Sequence, residues 1–238
     1  MPDERHHRGA HPEDPRLFSA EMVPLLRSAV ADLSWLLSRE YAMNGALKLV
    51  GDRYNLSARQ RVAIMRCACS DAAMQYRSTH QVPTEHIASR SLLIDGYNVL
   101  TTIEAALSNA FIFIARDHCV RDIASIHGTY RKVEETIPAL DLAAHSLQEL
   151  NVSGVTWYLD APVSNSGRLK TIILELAALH RYPWQVQIVP NPDAILSQSM
   201  EIIATADSVI LDRCQRWFNL AREILMKHLP NSRVIDLS

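Results

Sequence analysis

Three apolar runs that each end in an aspartate restrict the fold of this chain more than any other feature. The runs cover residues 92–95, 155–160 and 202–207, and they end at Asp95, Asp160 and Asp207. A short apolar run of this kind is typical of a parallel strand buried on both faces, and the carboxyl edge of such a sheet is where ligands bind. The pattern therefore predicts a sheet edge that carries a cluster of acids.

The segments between these runs have helical spacing, so strands and helices alternate after residue 90. Helices are expected over residues 133–150 and 213–228, and a further strand is expected over residues 184–189. Alternation of this kind indicates βαβ units. The predicted class is α/β with a mostly parallel sheet.

The N-terminal part of the chain lacks the alternation of strands and helices. Residues 1–15 are polar and lack a hydrophobic period, which predicts a disordered tail. Residues 16–88 form a smaller all-α domain in this interpretation, because Ser57-Ala58-Arg59-Gln60 has the form of a helix capping box. A break at residues 81–84 serves as the linker, and the α/β domain covers residues 89–238.

Charge is distributed unevenly between the two predicted domains. Residues 16–90 hold ten Arg and Lys against six Asp and Glu, a balance of +4, whereas residues 91–238 hold twelve against sixteen, a balance of −4. Arg59 and Arg66 lie seven positions apart and share a helix face that could follow a phosphate backbone. A solvated helix surface explains the same charges, so both interpretations stay open.

Several classes of protein lack support in the sequence. The four cysteines have neither zinc-site spacing nor the number needed for a disulfide scaffold, so they are expected to be reduced core thiols. No apolar stretch has membrane-spanning length and the N-terminus does not resemble a signal peptide, which favours a cytoplasmic protein with no membrane partner. The Gly-rich nucleotide motifs, the zincin motif and the nucleophile elbow are absent from the chain.

Strand-end aspartates are hard oxygen ligands suited to Mg²⁺ or Mn²⁺. A bound cation would remove their mutual repulsion and neutralise charge on a phosphate. The loop and helix start after Asp160 could bind that phosphate through helix-terminal amides and nearby side chains. The side chains in question are Ser164, Ser166, Arg168 and Lys170.

The segment Ile-Asp-Gly-Tyr-Asn-Val-Leu at residues 94–100, together with the two later runs, resembles the PIN-like nuclease superfamily and in particular its NYN-type branch. The resemblance implies a Rossmann-like domain whose four acids bind a divalent metal and cut RNA. Matching motifs place these acids at Asp95, Asp160, Asp193 and Asp207, with Asn98 orienting Asp95 or the phosphate. The N-terminal part looks like an uncharacterised helical family that accompanies such domains in prokaryotes.

Two further carboxylates are candidate metal ligands. Glu104 is expected near the start of the helix that follows the Asp95 strand, where it complements the helix dipole but is also close enough to join the acids. Asp212 follows Asp207 closely. Each candidate acid also has a structural explanation: Asp95, Asp207 and Asp212 could cap helices, and Asp160 and Asp193 precede or lie within turn sequences.

The functional hypothesis is a Mg²⁺- or Mn²⁺-dependent ribonuclease, in which the basic helical domain holds the RNA and the acidic site hydrolyses it. The alternative is a non-catalytic PIN-like module that binds RNA or a protein. A small-molecule phosphatase is disfavoured, because Asp95 lacks the second Asp two positions on that an aspartyl-phosphate motif requires. Homo-oligomer formation is left open.

Overall fold

The computed structural model describes residues 7–124 and 130–238, and these residues adopt a mixed α/β architecture. The α-helices are Asp14–Leu17 (α1), Val23–Leu37 (α2), Met43–Arg53 (α3), Ala58–Cys67 (α4), Asp71–His80 (α5), Gly96–Leu107 (α6), Thr136–Glu149 (α7), Ser166–His180 (α8), Pro192–Gln198 (α9), Ser208–Leu211 (α10) and Leu220–His228 (α11). The strands are Ser91–Asp95 (β1), Ile112–Ile114 (β2), Val120–Arg121 (β3), Gly154–Asp160 (β4), Trp184–Val189 (β5), Ile202–Ala204 (β6), Trp217–Phe218 (β7) and Val234–Asp236 (β8). A 3₁₀ helix lies at Thr84–His86.

The main sheet has five parallel strands in the order β5-β4-β1-β6-β7, which confirms the predicted parallel α/β architecture. From β1 the chain adds β4 and β5 on one side, and it then returns to add β6 and β7 on the other side. Such a reversal opens a crevice at the carboxyl ends of the central strands. The crevice lies beside Asp95, which ends β1.

Helices cover both faces of this sheet. Leu92 and Ile94 of β1 join the larger core with residues of α6, α7, α8 and α11, while Leu93 packs against a smaller cluster that includes Leu196 of α9 and Ile210 of α10. Successive side chains of a strand point to opposite faces, so an uninterrupted apolar strand requires two covered faces. The continuous apolar run before Asp95 is explained by this double cover.

The N-terminal helices α1 to α5 confirm the predicted helical region, and the capping box at the start of α4 is confirmed in detail. The Ser57 side chain accepts a hydrogen bond from the amide of Gln60 at 3.3 Å, and the Gln60 side chain accepts one from the amide of Ser57 at 3.0 Å. The helices bury apolar side chains such as Leu26 and Leu33 in a second core. Phe113 of β2 and Ile235 of β8 belong to that same core, so it crosses the proposed boundary at residue 88.

A second, three-stranded sheet has no counterpart in the sequence-based prediction. Its order is β3-β2-β8, with β2 and β3 antiparallel and β2 and β8 parallel. Strands of two or three residues are too short to show a hydrophobic period. The sheet therefore depends on long-range pairing between the middle and the end of the chain.

The helix expected over residues 213–228 begins only at Leu220, so the earlier start is wrong. Trp217 and Phe218 instead pair with Ile203 and Ala204 as the edge strand β7. The indole of Trp217 also donates a hydrogen bond to the carbonyl oxygen of Arg77 at 2.7 Å. Backbone pairing and this indole contact outweigh the local helical pattern.

The described part of the expected disordered tail, residues 7–15, is packed against the rest of the protein. Arg8 pairs with the buried Glu104 at 2.7 Å, and Asp14 forms an ion pair with Arg59. Residues 1–6 lie outside the described residues. Low hydrophobic content predicts disorder for this segment, but ion pairs hold it in place, and hydrophobic content does not reveal them.

All four cysteines are buried and free, in agreement with the expected core thiols. Burial raises the pKa of Cys67 to about 12 and that of Cys214 to about 11. Within residues 7–124 and 130–238, no helix combines the length and the apolar character needed to cross a bilayer.

Candidate acidic site at the sheet edge

A cavity of about 530 Å³ opens at the carboxyl edge of the main sheet, and four predicted acids line it. Asp95 ends β1 and Asp160 ends β4. Asp193 lies in the first turn of α9, after β5, and Asp207 follows β6 and caps α10. Parallel strands end at the same edge, so segments far apart in the sequence deliver their carboxylates to one cavity.

Asp95 is held in the wall of this cavity by a chain of hydrogen bonds. Its side chain is part of a residue only 6% exposed, and its Oδ2 accepts a bond from the Thr205 hydroxyl at 2.8 Å. The Thr205 oxygen in turn accepts the amide of Asp207 at 3.0 Å. Asn98, a predicted orienting residue, also lines the cavity, and its Oδ1 accepts the amide of Ala206 at 2.8 Å. The loop at residues 205–207 is thereby fixed against β1 and α6.

Burial and neighbouring acids raise the pKa values of Asp95, Asp160 and Asp193. Burial raises the pKa of Asp95 to about 8, and the charges of Asp207, Asp193 and Asp160 add to that shift although the Thr205 hydrogen bond opposes it. Burial followed by the charge of Asp193 raises the pKa of Asp160, and burial followed by the charge of Asp207 raises the pKa of Asp193. Repulsion of this kind is what a bound cation relieves.

The side chains that line the cavity match a divalent cation in donor type and in charge. Five aspartates and two arginines line the cavity, which gives a net charge of −3 when all are ionised. Carboxylate oxygens suit Mg²⁺ or Mn²⁺, so donor type and charge both fit. Among the described residues, however, no three His, Cys, Asp or Glu side chains lie close enough to enclose a metal. The arrangement fits a cation held by one or two carboxylates and several waters, as Mg²⁺ commonly is.

A buried ion cluster formed by Arg77, Asp117 and Arg121 adjoins the site through Arg121. Asp117 accepts hydrogen bonds from Arg121 at 2.7 Å and from Arg77 at 2.5 Å. Burial opposes ionisation of Asp117, but the two guanidinium groups outweigh it and lower its pKa. Arg121 also donates to the carbonyl oxygen of Ala206 at 2.9 Å, and it lines the cavity. Arg77 of α5 is therefore connected through Asp117 and Arg121 to the loop that carries Asp207.

Glu104 does not join the aspartates, which corrects its assignment as a metal ligand. It is fully buried inside α6, where Oε2 accepts from Arg8 at 2.7 Å and Oε1 accepts from the hydroxyls of Tyr130 at 2.5 Å and Thr136 at 2.6 Å. Closeness to Asp95 in the sequence was misleading, because Glu104 lies on the face of α6 that packs against α7 and the N-terminal segment.

Asp212 is also separate from the candidate site, contrary to its assignment as a ligand. Its Oδ1 accepts a hydrogen bond from the Nε of Arg77 at 2.7 Å, and the residue is not among those that line the cavity. The Asp212 carboxylate, which the sequence suggests as a metal ligand, is instead paired with Arg77 of α5.

The expected phosphate-binding group lies outside the cavity lining. Ser166 is buried, and its Oγ lies 2.6 Å from the carbonyl oxygens of Asp160 and Val163, so it closes the turn after β4. Ser164 and Arg168 are exposed and Lys170 is partly exposed. None of these side chains is among the residues that line the cavity, and their contacts with phosphate stay predictions.

The structure adds cavity residues that the motif analysis did not assign to the site. Asp122 is buried and accepts bonds from the Thr102 hydroxyl at 2.9 Å and the Ala124 amide at 2.7 Å. Met43, Met65 and Arg66 reach the cavity from the N-terminal helices. For Arg66 the only sequence signal is its shared face with Arg59, and the methionines carry none because their placement depends on packing between distant segments.

Comparison with known proteins gives the chain a family. Residues 84–223, more than half of the chain, match "Domain of unknown function (DUF5616)". The chain belongs to this family. In this DUF5616 protein, residues 25–79 also match "Protein of unknown function (DUF434)", which corresponds to the helical region.

A relative of this DUF5616 protein is the uncharacterized protein MJ0935 of Methanocaldococcus jannaschii. It is 32% identical over 186 residues, which cover 78% of this chain and 88% of the relative. The match therefore extends across most of both proteins. No solved structure matches the chain.

Proposed function

We propose that the protein is a metal-dependent ribonuclease that hydrolyses RNA phosphodiester bonds at the acidic site, on a PIN-like, Rossmann-like domain. One observation carries the proposal: Asp95, Asp160, Asp193 and Asp207 line one cavity at the carboxyl edge of a parallel sheet, and Asp95 is almost completely buried there. The motif at residues 94–100 that resembles the NYN-type branch supplies the first of these acids.

The charge of the cavity supports a divalent cation. When all five aspartates are ionised they repel a phosphate unless positive charge is added, and two arginines do not balance them. Asp95 and Asp207 are the proposed principal ligands, because Thr205 connects them through successive hydrogen bonds. Asp160 and Asp193 are the proposed further ligands or the residues that orient the attacking water. A bound Mg²⁺ or Mn²⁺ would supply charge neutralisation at the phosphate and a more acidic water.

The chain's own groups have separate tasks in this proposal. Thr205 donates to Oδ2 of Asp95, which fixes the orientation of that carboxylate. Asn98 accepts a hydrogen bond from the Ala206 amide, which fixes the position of Asp207 after β6. Burial of Asp95 excludes bulk water from one side of the reacting phosphate and strengthens electrostatic interactions there.

Cleavage of labelled single-stranded RNA in Mn²⁺ tests the proposal, with Asp95→Asn as the diagnostic variant. The variant is expected to lose at least about 100-fold of the rate, since even partners of metal ligands change activity by about 10- to 100-fold. Asp141→Asn is the matched control, because Asp141 is an exposed aspartate on α7. Equal cleavage by wild type and Asp95→Asn would contradict the catalytic role.

The alternative is a non-catalytic module that binds RNA or a protein, and one observation favours it. No compact set of three metal-binding side chains lies among the described residues. Thermal unfolding with and without Mn²⁺ separates the two functions, because a metal that binds only the folded state stabilises it by about 2.7 kcal/mol at 100-fold excess over Kd. An unchanged melting temperature at millimolar Mn²⁺ would favour the alternative.

A further inference from the structure

One part of the cavity wall comes from the N-terminal helices and not from the α/β domain. Met43 is the first residue of α3, and Met65 lies in the last turn of α4. Both side chains are half-buried and line the same cavity as the aspartates. The candidate site is therefore built from both regions of the chain. Its helical part consists of the two methionines and Arg66, whereas its sheet part is acidic.

Arg66 attaches this helical wall to the α/β domain. Its guanidinium donates to the carbonyl oxygen of Asp122 at 2.9 Å and to that of Ala124 at 3.2 Å. Asp122 is held in turn by the Thr102 hydroxyl of α6. Two carbonyl contacts from one planar group fix both distance and orientation. The methionine wall is thereby held at the cavity, and a bound molecule meets it together with the aspartates.

The burial of Asp95 limits the form of nucleic acid that can reach it. Only 6% of Asp95 is exposed, and its exposed part faces the cavity that it lines. Bases in a duplex are stacked and paired, so a duplex can bring a nucleotide into a cavity only after unstacking it. A single strand can place an unstacked nucleotide there at much lower cost.

We infer that Met43 and Met65 form a nucleobase-binding wall, on which an unpaired base of single-stranded RNA packs while its phosphate faces the aspartates. This inference rests on the proposed function, since it assigns the substrate class of the same site. Methionine is suited to the task because its polarizable thioether makes favourable contacts with aromatic rings. Such contacts read the flat face of a base and not its edge, so the wall accepts different bases.

The test measures binding of a labelled single-stranded oligoribonucleotide by fluorescence anisotropy with Mn²⁺. It uses an Asp160→Asn background, which keeps the two proposed principal ligands and removes a residue proposed to orient the attacking water. Met43→Ala combined with Met65→Ala is expected to weaken binding by about tenfold. Met200→Ala is the matched control, because Met200 is exposed and lies outside the cavity lining. An abasic strand of the same length should bind the wild-type wall and the double variant equally.

A second comparison needs no methionine variant, and it tests the preference for single strands even if the double variant fails to fold. The same oligonucleotide annealed to its complement is expected to bind at least about tenfold more weakly than the single strand. Equal binding of duplex and single strand would overturn the inference, as would unchanged affinity in a folded double variant.

The outcomes also separate this inference from the proposed function. If wild type binds single strands through the methionines but cuts none of them, hydrolysis is wrong and the base wall stands. If wild type cuts RNA without regard to strandedness or to the methionines, hydrolysis stands and the base wall is wrong.

Discussion

Asp95 links protonation to folding because it is buried among other carboxylates. Its pKa of about 8 in the folded protein lies far above its ordinary value of 3.8. Between these two values the folded state keeps a proton that the unfolded state has lost. Stability without metal therefore falls as the pH rises from about 4 to about 8, because the native state binds more protons over that range.

Asp95→Asn is expected to remove this pH dependence. The amide stays neutral and can still accept the Thr205 hydroxyl, so at pH 8 in a chelator the variant should exceed wild type by about 1–3 kcal/mol in free energy of unfolding. The two proteins should converge toward pH 4. Urea denaturation at several pH values measures the effect, and parallel pH profiles for the two proteins would show that burial of this acid is not coupled to folding.

Gly96 is required by close approach between α6 and β4. A Cβ at this position would lie 2.6 Å from Cδ2 of Leu159 and 2.7 Å from the carbonyl oxygen of Tyr158. Gly96→Ala must displace a strand that carries Asp160, and we expect a loss of about 1–3 kcal/mol in free energy of unfolding. Gly45→Ala is the control, since Gly45 lies within α3 with no atom within 4 Å of the added Cβ.

Chemical denaturation compares the two glycine variants. The control should gain up to about 1 kcal/mol, because alanine favours the helix. A Gly96→Ala protein as stable as wild type would show that β4 and α6 can separate without cost, which would contradict the tight junction at the site.

At the scale of elements, the Arg77–Asp117–Arg121 cluster connects α5 and β3 to the loop after β6. Asp117→Asn removes the charge between two guanidinium groups that are almost completely buried. Breaking one partner of a buried ion pair commonly costs about 3–5 kcal/mol, and we expect a loss of that size. Denaturation of Asp117→Asn and of the exposed control Glu13→Gln provides the measurement.

The control removes an ion pair of a different kind. Glu13 pairs with Arg16 at 2.9 Å, and both side chains are more than half exposed, so its loss should change stability far less. Similar losses in the two variants would mean that the buried cluster contributes no more than a surface pair.

At the scale of the whole molecule, the second hydrophobic core joins the N-terminal helices to the small sheet. Phe18 near α1 and Phe113 of β2 meet with ring centroids 4.9 Å apart, and Leu237 after β8 lies in the same core. The chain therefore folds back so that its last strand supports its first helices. A core shared in this way favours unfolding as one cooperative unit.

Phe113→Ala tests whether the helical and α/β regions unfold as one cooperative unit. Removal of a fully buried ring is expected to cost about 3–5 kcal/mol and to lower the single melting transition of the whole protein. Calorimetry distinguishes the outcomes. Two separate transitions, of which only one shifts in the variant, would show that the helical and α/β regions unfold independently.

Particular residues show how far the sequence predicts the site. Asp95, Asp160, Asp193, Asp207 and Asn98 line the cavity as expected, because each is tied to a strand end or to the turn that follows it. Local hydrophobic patterns locate strand ends, and parallel topology then brings the ends together. Their roles in catalysis and metal binding stay predictions.

Glu104 and Asp212 could not be placed by the same reasoning. Their partners, Arg8 and Arg77, lie 96 and 135 residues away in the sequence. Local patterns do not contain such pairings, which depend on which segments pack together. The methionine wall depends on tertiary packing for the same reason.

The sequence by itself determined the parallel sheet, the helical N-terminal region, the capping box of α4 and the acids at the strand ends. These features follow from short-range periodicity and from local hydrogen bonding within a few residues. Only the tertiary structure decided the small sheet, the edge strand β7 and the packing of residues 7–15. It also decided that Glu104 and Asp212 form ion pairs away from the candidate site. Each of these depends on contacts between distant segments, and such contacts outweigh local propensity where backbone pairing or a buried charge has to be satisfied.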